Sequence, residues 1–155
     1  MNNAITAINE AYVRALQHLV ETAPFPNLIG MRLEEIDIDR VKIILDIDTR
    51  HYQPFGFVHG GVLATLIDTA TFWAAFARLP QDAGLVNIDL KLNYLQPASA
   101  GRLTAVGHCI RPGRTLSYTE AHVYDESGAL LAHGTSTLMA LPGRGIDVGV
   151  AKFIG

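Results

Sequence analysis

The stretch FGFVHGGVLATLIDTATFWAAF, from Phe55 to Phe76, decides the fold. Its second half reads as a helix over Gly60 to Arg78, closed by LPQDAG, and it is apolar on most sides. Such a helix must be covered on most sides. Asp68 stands in its middle, far from either end, where an unpaired carboxylate is costly. Seven residues, about two turns, separate Gly61 from Asp68. One stripe therefore carries Gly61, Ala64, Thr65, Asp68, Thr71, Phe72 and Ala75, mostly small. The opposite stripe, Val62, Leu66, Ala70, Trp73 and Ala77, reads as a core face. The small stripe is expected to face a partner or a ligand cleft.

Outward from this helix the pattern changes to strands. Upstream, two apolar sets over Ile36 to Ile47 alternate with period two and are offset at Asp39–Arg40, which reads as a hairpin. HYQPFGF is a loop with Pro54 and Gly56 as breakers. Downstream come four strand runs: Val86 to Tyr94, Leu103 to Ile110, Thr115 to Tyr124 and Leu130 to Leu141, joined by short turns. An amphipathic helix is predicted over Ala4 to Glu21, with Ile5, Ile8, Tyr12, Ala15, Leu16 and Leu19 at helical spacing, ended by the prolines of TAPFP. Strands joined by short turns imply an antiparallel sheet. The fold class is α+β: an antiparallel sheet wrapped around one long central helix, with an extra N-terminal helix. The helix's remaining face would meet a second subunit.

The 155 residues suit one domain, spanning 1–155, with residues 1–27 as a helical extension and 142–155 as a glycine-rich tail without an assigned role. Hydrophobic residues make up 49% and charged ones only 17%, which implies a large core or surface hidden in an oligomer. A net charge of -3 gives no broad drive toward nucleic acid or anionic membrane. The lone Cys109 excludes an internal disulfide framework and fits a reducing cytoplasm. The opening residues lack a secretory pattern, and the longest apolar tract is too polar at its centre to span a membrane.

The central helix offers chemistry at two points. Asp68 reads either as a buried acid satisfied by threonine hydroxyls or a basic partner, or as a general base or nucleophile strengthened by burial. At the helix start, the first amides have no internal acceptor and carry partial positive charge. Glycine at Gly60 and Gly61 lets a ligand approach them, so a carbonyl oxygen there would be polarised. The plainer reading is that the glycines merely permit a tight entry.

HGGVLATLIDTA, followed by VNIDLKLNYLQPASAGRLTAVGHCIRPGRTLSYTEAHVYDESGALLAHGTSTLMA, resembles the hotdog-fold acyl-CoA thioesterases of the phenylacetate-degradation type, over roughly Leu28 to Ala140. The resemblance implies hydrolysis of acyl-coenzyme A, no cofactor beyond the coenzyme A of the substrate, and homodimers with shared active sites, paired into tetramers. It implies that the Gly60 N–H holds the thioester oxygen and that Asp68, reaching over from the partner subunit, is the catalytic carboxylate. Gln53 matches a loop Asn or Gln that orients the carbonyl or the water. His59 matches a histidine that either assists the leaving thiolate or caps the helix entry. Asn87 occupies a position where the family often has Ser or Thr to hold water beside the acid. Arg111 and Arg114, in the RPGR turn, are implied contacts for coenzyme A, with Arg102 and Lys91 weaker candidates. Phe72, one turn beyond Asp68, is expected to line an acyl or aryl pocket.

No G-x-S-x-G, phosphate-binding loop or dinucleotide fingerprint occurs. His108, His122 and His133 fall on predicted strands and could meet, but unclustered histidines are more often surface or core residues than ligands, and no metal site is expected. Two alternatives remain beside the thioesterase: a hotdog hydratase or dehydratase using His59 and Asp68, and a non-catalytic acyl-CoA-binding protein.

Overall fold

A computed structural model describes residues 7–154. Helix α1 (Glu10–Thr22) and helix α2 (Pro24–Ile29) precede strands β1 (Met31–Asp37) and β2 (Arg40–Asp46). The central helix α3 spans Gly60–Phe76, followed by β3 (Ala83–Asn87), β4 (Lys91–Tyr94), β5 (Arg102–Arg111), β6 (Leu116–Tyr124) and β7 (Leu130–Pro142). All strand pairs are antiparallel, in the order β1-β2-β5-β6-β7-β3, with β4 also on β7. The sheet wraps α3, which packs on β5, β6, β2 and β7. Leu66, Ile67, Ala70, Ala74 and Phe76 meet Ile43, Leu45, Ala105, Ala121, Val123 and Leu138 in one core. The fold class is the one expected. Among the described residues no helix is long and apolar enough to cross a membrane.

Several boundaries differ from the sequence reading. The first helix starts at Glu10, capped by the Asn9 side chain; Ile8 instead bridges Phe153, and Ile5 lies outside the described residues. The prolines do not only stop α1. Pro24 opens α2, because a helix's first turn needs no proline N–H. The hairpin begins at Met31 rather than Ile36 and turns at Asp39, in the left-handed region at φ 62°. Helix α3 ends at Phe76, not Arg78.

The expected single strand over Val86 to Tyr94 is two strands, β3 and β4, laid against different parts of β7. The break at Ile88–Leu90 is held by side chains. The Thr137 N–H donates to the Asp89 carboxylate at 2.9 Å, and the Ser136 hydroxyl donates to the Asp89 carbonyl at 2.6 Å. The helix faces also need correction. Thr71 and Ala75, placed on the small stripe, are fully covered, and Thr71 Oγ1 bonds back to the Ile67 and Asp68 carbonyls. Val62, placed in the core, is only partly buried. The less covered face of α3 is Gly61, Thr65, Asp68, Thr69 and Phe72.

The glycine-rich tail returns to the core. Lys152 is buried and donates to the Phe76 and Leu79 carbonyls at 2.6 and 2.8 Å, over the Phe76 ring. It thereby closes the carboxyl end of α3. The Asn9 N–H donates to the Lys152 carbonyl at 2.8 Å, which ties the tail to α1.

Candidate active site

The amino end of α3 is left open. His59, in extended backbone, is the N-cap, and its Nδ1 accepts the Gly61 N–H at 2.8 Å. That bond makes His59 a capping residue. The Val62 N–H goes to the His59 carbonyl at 2.9 Å. The Gly60 amide, first in the helix, has no acceptor within it. A Cβ at Gly60 would meet the Tyr94 ring at 3.1 Å, so glycine lets Tyr94 lie this close to the helix start. The loop before it is pinned by buried His51, whose Nδ1 accepts the Asp48 N–H at 2.9 Å and whose Nε2 lies 2.7 Å from the Ile29 carbonyl. Gln53 Oε1 accepts the Phe55 N–H, which leaves its amide N–H groups as the available donors. Gln53, Gly60, Leu63, Tyr94 and Gln96 line a cavity of about 320 Å³.

Asp68 lies eight residues further, about 12 Å along the helix. It is half-buried, and burial raises its pKa above the ordinary carboxylate value. Asn87, at the end of β3, donates to Asp68 Oδ1 at 3.0 Å and lies 3.2 Å from the Ser136 hydroxyl. The strand break at Ile88 is what aims Asn87: Ser136 is fixed by the Asp89 carbonyl and in turn holds the asparagine amide. Sequence reasoning missed Ser136. Its inward position follows from the alternation of buried Gly134, Ser136 and Leu138, but its contact with Asn87 depends on the β3–β7 register.

Asp68 also borders an apolar cavity of about 270 Å³, lined by Leu19, Val20, Phe25, Met31, Phe72 and Trp73. Phe72 lines this cavity, held edge-to-face against Trp73 with ring centres 4.9 Å apart. The contribution of α1 and α2 to this wall was not legible, because it is a long-range contact. Within the chain, then, the predicted residues fall into two groups. Gly60, Gly61, His59 and Gln53 gather at the amino end of α3; Asp68, Asn87 and Phe72 gather in its middle.

The predicted arginines join neither group. Arg111 and Arg114 are exposed, and Arg114 borders a third cavity of about 610 Å³ with Arg78, Leu79 and Ser117, near the carboxyl end of α3. Arg78 there pairs with Asp39. Arg102 pairs with Asp46 at 2.7 Å and Lys91 with Asp89 at 3.1 Å, so both are engaged within the sheet. Two of the strand histidines, read as unclustered, do meet: His122 and His133 are direct partners across β6 and β7, with ring centres 4.4 Å apart. Burial, then the neighbouring His133, lowers the His122 pKa.

Chemically, one group offers hydrogen-bond donors to a carbonyl oxygen and the other offers a strengthened base beside an apolar recess. That pairing is what acyl transfer from a thioester requires. Similarity to known proteins supports the reaction class. The family model described as "Thioesterase superfamily" matches residues 55–132. A thioesterase family protein from Silicibacter pomeroyi superposes with a TM-score of 0.79 at 30% identity, over 85% of this chain and 99% of that one. A thioesterase from Haemophilus influenzae superposes with a TM-score of 0.77 at 26% identity, over 82% and 88%. The 1,4-dihydroxy-2-naphthoyl-CoA hydrolase of Listeria monocytogenes is 26% identical over 71% of this chain and 89% of its own length. Human acyl-coenzyme A thioesterase 13 is 23% identical over 86% and 96%. This chain belongs to the thioesterase superfamily and is a hotdog-fold enzyme of thioester hydrolysis.

Proposed function

We propose that the substrate is an acyl-coenzyme A and that each active site is built from two copies of the chain. The observation that carries this reading is the separation along α3. Gly60 and Asp68 of the same chain stand about 12 Å apart along the helix axis, a separation that one reacting carbon does not bridge. A second copy with its α3 antiparallel brings one chain's Gly60 opposite the other's Asp68 and makes two equivalent sites. The large apolar surface around the helix start supports such a contact: Phe55 is 86% exposed, and Phe57, Tyr94 and Leu95 are exposed beside it. The same arrangement carries Arg114, at the far end of α3, toward the partner's Gly60 end, where it would meet the polyanionic coenzyme.

In this reading Gly60 N–H and the Gln53 amide hold the thioester carbonyl, and Asp68 supplies an electron pair. It either takes a proton from the attacking water, or attacks the carbonyl carbon itself to give an acyl-aspartyl anhydride that water then hydrolyses. The C–S bond breaks, the coenzyme leaves as thiolate and regains a proton, and a carboxylate remains. Asn87 holds one oxygen of Asp68 and leaves the other for the reaction. The acyl group lies in the recess beside Phe72. At about 270 Å³ it lies just below the roughly 300–1,000 Å³ range of ligand pockets, which suits a compact aryl or medium-length acyl group. The relatives named for an aryl-CoA and an acyl-CoA substrate favour the same class.

The test is thiol release from a panel of aryl- and alkyl-CoA thioesters by wild type and Asp68→Asn. Turnover that collapses in the variant, with fold and assembly intact, is the expected result. No thiol from any substrate, or equal turnover in both proteins, would overturn it. Hydrolysis in ¹⁸O-labelled water under single turnover separates the two roles of Asp68: label found in the aspartate marks attack by the carboxylate.

A further inference from the structure

The outer face of the sheet, away from α3, carries a constellation that thioester hydrolysis does not use. In β6, Ala121 and Val123 are completely covered by the core, so Glu120 and His122 point to the other face. In β7, Ala132 and Gly134 are inward and His133 is outward. The ladder sets His122 directly opposite His133, and Glu120 diagonal to it. His133 Nε2 lies 3.4 Å from Glu120 Oε2. One ligand atom from each of the three side chains lies within 4.8 Å of the others.

We propose that Glu120, His122 and His133 form a binding site for a divalent transition-metal ion, with zinc as the reference cation. Two imidazoles and one carboxylate, with a fourth position for water, are a donor set that zinc takes in tetrahedral geometry. Bonds of about 2.0–2.1 Å place tetrahedral ligand atoms roughly 3.4 Å apart. The side chains reach that spacing by small rotations, since all three are only partly buried. The backbone needs no change, because the β6–β7 ladder already fixes the three Cα positions. His108, opposite Glu120 on β5, lies on the same face and can hydrogen-bond the carboxylate from outside. The nitrogen-rich set makes Ni²⁺ and Cu²⁺ alternative occupants, while Mg²⁺ and Ca²⁺ would bind poorly. An ion here cross-links two adjacent strands, so its binding stabilises the fold by mass action.

The experiment is a Zn²⁺ titration of chelator-stripped, full-length protein against a chromophoric indicator, with melting curves in parallel. The expected result is one equivalent per chain at micromolar affinity or tighter, and a higher melting temperature with zinc. His122→Ala combined with His133→Ala abolishes both effects, and Glu120→Gln weakens binding about 10- to 100-fold. Equal melting of the metal-free wild type and the double variant shows that the fold survives the change. The proposal is overturned if wild type binds no more tightly than the double variant up to about 1 mM Zn²⁺. It is equally overturned if the double variant keeps its equivalent of zinc.

Discussion

The two ends of α3 face the same physical problem and resolve it in opposite ways. Every helix leaves unsatisfied amides at its start and carbonyls at its finish. At the finish, buried Lys152 donates to two carbonyls, its amine lies over the Phe76 ring, and the tail is tied to α1. At the start, His59 takes one amide and the Gly60 amide is left to the 320 Å³ cavity. The closed end is sealed within the chain and, in the proposed reaction, the open end takes the ligand. Changes at the start should therefore affect turnover, and changes at the finish should affect folding.

The largest effect is expected midway between the ends. Asp68→Asn should lower kcat by about 10²–10⁴-fold, the range for loss of a general base. It should also raise stability at neutral pH by on the order of 1 kcal/mol. Burial raises the pKa of Asp68 in the folded chain, so its contribution to stability is full below the unfolded pKa and is lost as pH rises through the folded one. The amide variant is neutral and does not incur that loss. Urea unfolding beside thiol-release kinetics checks both signs. The acid limb of the wild-type kcat profile should lie above the ordinary carboxylate range.

Gly60→Ala comes next. The new methyl stands against the Tyr94 ring at 3.1 Å and, in the proposed reaction, under the thioester carbonyl. A loss in kcat of about 10²-fold is expected, with the melting temperature nearly kept. Lys152→Met should show the reverse pattern: about 2 kcal/mol less stable, because two buried carbonyls lose their donor, with kcat per folded molecule unchanged. The pH dependence sharpens this contrast. Burial draws the Lys152 pKa down from 10.5 to about 7, so the unfolded chain binds more protons between those values. Wild-type stability should rise with pH across that window, and Lys152→Met should remove this rise. Smallest is Tyr12→Phe. The buried Tyr12 hydroxyl has no hydrogen-bond partner among the described residues, so its removal should be neutral or stabilising by up to about 1 kcal/mol.

How much of this was legible in the sequence follows from the range of each interaction. The central helix, its Gly-Gly entry and the misplaced acid are local features, and local pattern reads them. The sheet's strands and turns are local as well, apart from the break at Ile88, where Asp89 substitutes for a backbone acceptor and hides the interruption inside a clean alternation. Asn87 was placed by resemblance, but the hydroxyl that aims it, Ser136, comes from the register of a distant strand. The Lys152 cap had no signal, since one lysine in a glycine-rich tail carries no period. That the strand histidines could meet was legible, but which two do was not: His122 and His133, eleven residues apart in sequence, are adjacent only through the β6–β7 register.

The central claim is that one chain's Gly60 works with its partner's Asp68, and mixed dimers test it most directly. Differently tagged Gly60→Ala and Asp68→Asn chains, each nearly inactive alone, are co-expressed and the doubly tagged dimer is purified. A shared site leaves one of the two sites in that dimer with both groups intact. Thiol release at about half the wild-type rate per dimer is the expected result. A mixed dimer as inactive as its parents would place both groups in one chain and contradict the account.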